Sequence, residues 1–155
     1  MKYLATLFFL GNMSNMPGTL GSLVGLVLGV IIVSFLSVIS FALIVVLIFI
    51  LSYFSIVAYT RKPDETGHDP KEVIIDEVLG QLVSMAPLMF FVENTRELLI
   101  YVSISFFLFR FFDILKPWPI YIFDRIKTPL AVILDDIAAG ILASLVLLVI
   151  LFWFF

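Results

Sequence analysis

Six ionisable side chains stand inside otherwise apolar runs of this chain: Asp76 and Glu77 in residues 73–92, Arg110 and Asp113 in 98–115, and Asp135 and Asp136 in 130–155. A charge within an apolar helix costs about 2.5 to 3.5 kcal/mol at a bilayer centre and less toward its faces, so six of them require compensation or use. Each acidic pair falls near the start of a run, where a carboxylate complements the positive end of a helix dipole, and that alone would account for either pair. It does not account for Arg110, Asp113 and Lys116. Their i, i+3, i+6 spacing lines them along one helix face near a C-terminus, where Asp113 opposes the dipole. A carboxylate flanked by two cations and facing two acidic pairs has the composition of a site rather than of a solvated surface.

Carboxylates grouped without histidine or cysteine are hard oxygen ligands suited to Mg2+, which keeps several waters and shares its shell between a few carboxylates and substrate phosphate oxygens. The cations then hold phosphate, Arg110 as a planar fork for two oxygens and Lys116 as a point charge nearer the headgroup layer. Pro17-Gly18-Thr19, opening an apolar helix, offers backbone N–H groups that either bind phosphate or make a turn and cap. The chain has no cysteine and one histidine, His68, which excludes a thiolate nucleophile and any lipid phosphatase that needs two histidines. Metal-activated water and a covalent aspartate both remain as nucleophiles. His68 sits in a charged loop and reads as solvated, with proton transfer as its functional alternative. The chemistry is metal-assisted phosphoryl transfer facing lipid headgroups.

The elements that must position these groups are membrane helices. Of the 155 residues, 63% are hydrophobic and 14% charged, too little polar surface to cover a fold in water. A net charge of -3 without any basic block makes nucleic acid an unsuitable partner. A bilayer core of about 30 Å needs roughly 20 helical residues. The spacing predicts an all-α, polytopic bundle, one membrane-embedded domain over 1–155, with five transmembrane helices near 21–35, 38–59, 73–92, 98–115 and 130–155. The third is expected to bend at Pro87. Tyr3 to Leu10 reads as a short interfacial helix. Gly21, Gly25 and Gly29 form a bare stripe where another backbone can approach, within the chain or in a dimer. Threading the five spans alternately puts Lys2, Arg61, Lys62, Lys71, Arg110, Lys116, Arg125 and Lys127 on one side and only Arg96 on the other, with ten of the twelve acids on the basic side. By the positive-inside tendency that side is cytoplasmic. Trp118, Tyr121 and Phe123 are expected as interfacial anchors.

Four stretches resemble the phosphatidylglycerophosphatase A family of bacterial membrane enzymes. They are Pro17-Gly18-Thr19-Leu20-Gly21-Ser22; His68-Asp69 with Ile74-Ile75-Asp76-Glu77 and Gly80; Phe109 to Ile120, containing Arg110, Asp113 and Lys116-Pro117-Trp118-Pro119; and Leu134-Asp135-Asp136-Ile137-Ala138-Ala139-Gly140. The resemblance implies an inner-membrane, Mg2+-dependent hydrolase that releases the terminal phosphate of phosphatidylglycerophosphate. It implies that Asp76, Glu77, Asp113, Asp135 and Asp136 are metal and water-activating acids, with Asp76, Glu77, Asp113 and Asp136 catalytic and Asp69 a candidate further ligand. Arg110, Lys116 and Thr19 would then bind substrate phosphate. Members often carry glycines before the paired aspartates, whereas this chain has Lys127-Thr128-Pro129-Leu130-Ala131, a stiffer approach.

A transporter or proton-relay subunit would also keep carboxylates and an arginine within helices. Depth separates the two, because transport sites usually lie near the midplane on broken helices, whereas these charges lie one to two turns from one face. A structural subunit using the charges only to pair helices would tolerate neutralising a pair together. Phosphatidic and lysophosphatidic acid also present a phosphomonoester, so the residues alone leave lipid selectivity open.

Overall fold

The structure, a computed structural model, describes residues 6, 16–60, 73–92, 94–126 and 128–154. The expected interfacial helix Tyr3 to Leu10 apart from Thr6, the loop carrying His68 and Asp69, and Lys2, Glu93 and Lys127 lie outside the described residues. Among these residues the chain is helical throughout: α1 (Pro17–Phe35), α2 (Val38–Thr60), α3 (Ile75–Ser84), α4 (Leu88–Phe91), α5 (Thr95–Leu115), α6 (Ile120–Asp124) and α7 (Pro129–Phe154). Four of them, α1, α2, α5 and α7, are long and apolar enough to cross a membrane.

Local chemistry sets the boundaries. Pro17 opens α1 at its first position, where the missing N–H removes no helical hydrogen bond, and the chain leaves α1 through an extended Leu36. The Ser40 N–H then donates to Ser37 Oγ at 3.3 Å as α2 begins. Asn94 caps α5, its side chain accepting from the Glu97 N–H at 2.9 Å.

The apolar run 73–92 is two short helices rather than one bent helix. Pro87 has no N–H to give and disfavours a helical conformation in the residue before it. The backbone tightens ahead of it into i to i+3 bonds, Met85 N–H to Leu82 O at 3.0 Å and Ala86 N–H to Val83 O at 3.2 Å. Such a break is costly in hydrocarbon unless protein surrounds it. Met85 and Leu88, on either side of it, are fully buried in a cluster with Leu98, Val102, Leu147 and Leu151.

α3 lies at the centre, packed on α1, α2, α5 and α7. The glycines of α1 face it in order, Gly21 toward Ile74 and Glu77, Gly25 toward Val78 and Gln81, Gly29 toward Met85, so α1 and α3 run parallel. The bare stripe is thus filled from within the chain. α7 also runs parallel to α3. A Cβ on Gly80 would lie 2.7 Å from the Asp136 carbonyl oxygen and 2.5 Å from a ring carbon of Phe109, and one on Gly140 would lie 3.1 Å from Val83 Cβ. α5 runs the other way, with Arg110 beside Gly18 and Ser105 beside Gln81. Large apolar side chains such as Phe107, 72% exposed, and Trp153, 84% exposed, cover the outside, which suits hydrocarbon and not water.

Candidate metal and phosphate site

The contact of α3 with α7 decides which carboxylates meet. Asp76 and Glu77 occupy the first turn of α3, and Asp136 lies in the second turn of α7 with its backbone against Gly80. Carboxylate oxygens of Asp76, Glu77 and Asp136 fall within 4.8 Å of one another, with Asp76 and Asp136 buried. Each adjacent pair shares one local bond: the Glu77 N–H donates to Asp76 Oδ1 at 3.2 Å, and the Asp136 N–H to Asp135 Oδ1 at 3.1 Å. Glu77 Oε2 is buried with no hydrogen-bond partner among the described residues. Two anions within this separation repel by at least about 3.5 kcal/mol at an effective dielectric of about 20. Three hard oxygen donors converging this way fit a divalent cation such as Mg2+.

The cations stand around this centre. Arg110 Nη1 donates to Asp113 Oδ2 at 2.5 Å, one helical turn along α5, and to Ser22 Oγ at 3.4 Å; Ser22 in turn donates to the Gly18 carbonyl at 2.8 Å. A Cβ on Gly18 would lie 2.8 Å from Glu77 Oε1 and 3.2 Å from Arg110 Nη1. The start of α1 must therefore be bare for the guanidinium and the Glu77 carboxylate to share that space. Lys116 ends α5 in the left-handed conformation, φ 43° and ψ 56°, its N–H closing on Phe112 O at 2.8 Å. Its ammonium lies 2.6 Å from Asp135 Oδ2 and also pairs with Asp124 of α6. Burial opposes that charge, but the two carboxylates more than offset it and hold the Lys116 ammonium above the ordinary lysine range.

Between them these groups enclose a cavity of about 200 Å3 lined by Pro17, Gly18, Asp76, Glu77, Asp113, Lys116, Asp135 and Asp136, with Val73 and Val132. That is below the roughly 300 Å3 at which drug-sized ligand sites begin, so it suits a phosphate and a few waters rather than a whole lipid. Of the residues expected from the sequence, Asp76, Glu77, Asp113, Asp135, Asp136 and Lys116 line it, and Arg110 stands behind that lining against Gly18 and Asp113. Thr19 is half-buried on α1 beside Gly18 and is not among the lining residues, and Asp69 lies outside the described residues. Two contributors were not legible in advance. Ser22 reaches Arg110 across 88 positions of sequence; its one local signal is the bond to the carbonyl four residues back. Asp124 meets Lys116 only because α6 folds back beneath the end of α5.

Comparison with known proteins gives a concordant picture. The family model described as Phosphatidylglycerophosphatase A matches residues 3–151. A Phosphatidylglycerophosphatase A of Haemophilus influenzae is 35% identical over 97% of this chain and 88% of its own length. One of Escherichia coli is 30% identical over 91% of this chain and 77% of its own. A putative phosphatidylinositol-3-phosphatase of Bacteroides thetaiotaomicron is 35% identical over 54% of this chain and 50% of its own. No solved structure matches.

Proposed function

Because the chain belongs to the phosphatidylglycerophosphatase A family, we propose that it is a membrane lipid phosphatase that hydrolyses the terminal phosphomonoester of phosphatidylglycerophosphate. The products are phosphatidylglycerol and inorganic phosphate, in glycerophospholipid synthesis at the cytoplasmic face of a bacterial inner membrane. One observation carries the reading: three carboxylates, those of Asp76 and Asp136 buried and that of Glu77 partly so, converge within 4.8 Å with an arginine nearby, at a small polar cavity at one end of apolar helices.

Asp76, Glu77 and Asp136 would hold Mg2+, with Asp113 and Asp135 lining the same cavity. When bound, the metal supplies Lewis-acid polarisation of a phosphoryl oxygen and acidifies a water. The chain's own groups do the rest. Arg110 keeps further N–H donors beyond those engaged by Asp113 and Ser22, and these suit two phosphate oxygens in the geometry a guanidinium fork prefers. Lys116, held by Asp124 and Asp135, places a fixed positive charge at the cavity wall and keeps the Asp135 carboxylate in position. The cavity admits the phosphate while the acyl chains stay in the bilayer, which supports a substrate whose scissile group is at its polar end.

The test is phosphate release by the purified protein in detergent from phosphatidylglycerophosphate and from phosphatidic acid, with Mg2+ and then with chelator. Release from the first lipid is expected to exceed release from the second and to stop on chelation. Asp136→Asn, which keeps the shape and removes the charge, is expected to lower turnover at least about a thousandfold while the protein still inserts and elutes as the unsubstituted one does. Release that survives chelation and Asp136→Asn would refute the assignment.

A further inference from the structure

Gln81 is a buried polar side chain that the cavity does not use. It is fully buried on α3, one turn further along than Glu77. A Cβ on Gly21 would meet Glu77 Cβ at 3.0 Å, and one on Gly25 would meet Gln81 Cβ at 2.9 Å. Both side chains therefore leave α3 on the side facing α1, where Arg110 and Ser105 of α5 also arrive. Gln81 Nε2 lies 3.2 Å from Ser84 Oγ and 3.3 Å from Ser105 Oγ, and the two hydroxyl oxygens are 2.7 Å apart. All three residues are fully buried.

Two acceptors remain in this seam. Gln81 Oε1 and Glu77 Oε2 are buried, and neither has a hydrogen-bond partner among the described residues. They belong to residues four apart on one helix, hence neighbours on its surface, and a helical side chain leans toward the turn before its own. Rotation of the amide about its last bond exchanges nitrogen and oxygen. Ser84 keeps its O–H on the Gln81 backbone carbonyl at 2.7 Å, Ser105 can then donate its O–H to Oε1, and the amide N–H turns to the side on which Oε1 stood. Both acceptors are satisfied if that side faces Glu77.

We propose that Gln81 is a positioning residue for Glu77: its side-chain amide, anchored by Ser84 and Ser105, donates an N–H to the buried Glu77 oxygen and so directs the other oxygen toward the acidic cavity. This rests on the reading of Asp76, Glu77 and Asp136 as a metal site. Hydrogen bonds to a ligating carboxylate set its orientation, and their loss typically weakens metal binding ten- to a hundredfold.

Mn2+ serves as the probe, its binding by the purified protein in detergent followed by electron paramagnetic resonance. Gln81→Met, which keeps length and removes the donor, is expected to weaken Mn2+ binding about tenfold without changing elution or thermal unfolding by more than a few degrees. Glu77→Gln is expected to weaken it by itself, and adding Gln81→Met to Glu77→Gln to change it less than about twofold, since the amide acts only through that carboxylate. Should Gln81→Met fail to insert, Gln81→Asn keeps the polarity and shortens the reach, and is expected to weaken Mn2+ binding similarly. Unchanged affinity in these variants, or a full additional loss in the Glu77→Gln background, would overturn the proposal. No Mn2+ binding by the unsubstituted protein would overturn the metal reading and this inference with it, whereas normal binding without phosphate release would count against the substrate alone.

Discussion

Lys116 meets two opposed demands. Its φ of 43° is a conformation that costs a side chain with a Cβ about 1 to 2 kcal/mol, and glycine nothing comparable. Its ammonium, on the other hand, is held between Asp124 and Asp135 at the wall of the acidic cavity. Because Asp124 is 45% exposed, that pair adds little to stability, and the proposed phosphate-binding role supplies the reason for a lysine here. The two demands separate by substitution. Lys116→Gly is expected to unfold about 2 to 4 °C above Lys116→Ala in a thermal scan, reflecting about 1 kcal/mol of relieved backbone, while both lose turnover to the same extent. A glycine variant more active than the alanine variant would mean that the turn, not the charge, is what the reaction uses. The lysine was legible in the sequence through its i+3 spacing from Asp113. Its partners were not, because Asp124 and Asp135 reach it through the turn and the packing of α7 rather than along one helix.

At the scale of elements, two glycines do different work. A Cβ on Gly80 would meet the Asp136 carbonyl and the Phe109 ring, parts that cannot move without shifting α7 or α5. Gly80→Ala is expected to cost about 1 to 3 kcal/mol, read as a fall of several degrees in the unfolding temperature, with activity lost in proportion to folded protein. A Cβ on Gly18 would meet the ends of the Glu77 and Arg110 side chains, which can swing aside. Gly18→Ala is therefore expected to leave the unfolding temperature within about 1 °C and to lower turnover tenfold or more, since the displaced groups are those of the site. Equal losses of stability in the two variants would contradict this division. The helices themselves were legible, because long uncharged runs and prolines mark them without reference to tertiary structure. The break at residues 85–87 was legible only as a bend, since hydropathy continues unbroken through Met85-Ala86-Pro87 and only burial shows that a gap in the helical ladder can be tolerated there. Nor did the glycine stripe of α1 declare its partner, for bare positions look the same whether a neighbouring helix comes from this chain or another.

For the whole molecule, the direction of each helix joins the local site to the membrane. α1, the α3–α4 segment and α7 run one way and α2 and α5 the other, so the starts of α1, α3 and α7 and the end of α5 meet at one end of the bundle. Asp76 and Glu77 in the first turn of α3 complement its dipole, whereas Asp135 and Asp136 lie beyond the first turn of α7, and the same alternation gathers all four with Arg110, Asp113 and Lys116. One arrangement of directions therefore produces both the charge asymmetry read from the sequence and the cavity. The end that carries the cavity also carries Arg125, stacked 5.2 Å over the Tyr121 ring, while Arg96 lies at the far end on the first turn of α5. The proposed orientation, in which the cavity end faces the cytoplasm, follows from the excess of basic residues in the sequence on that side. The chain has no cysteine, so a single one can be introduced as a reporter at either end. In right-side-out vesicles a membrane-impermeant maleimide is expected to label Arg96→Cys at once and Arg125→Cys only after permeabilisation. The reverse pattern would put the cavity on the outer face, where a substrate made on the cytoplasmic leaflet could reach it only after crossing the bilayer, and the proposed place of the reaction would fall even if phosphate release were seen in detergent.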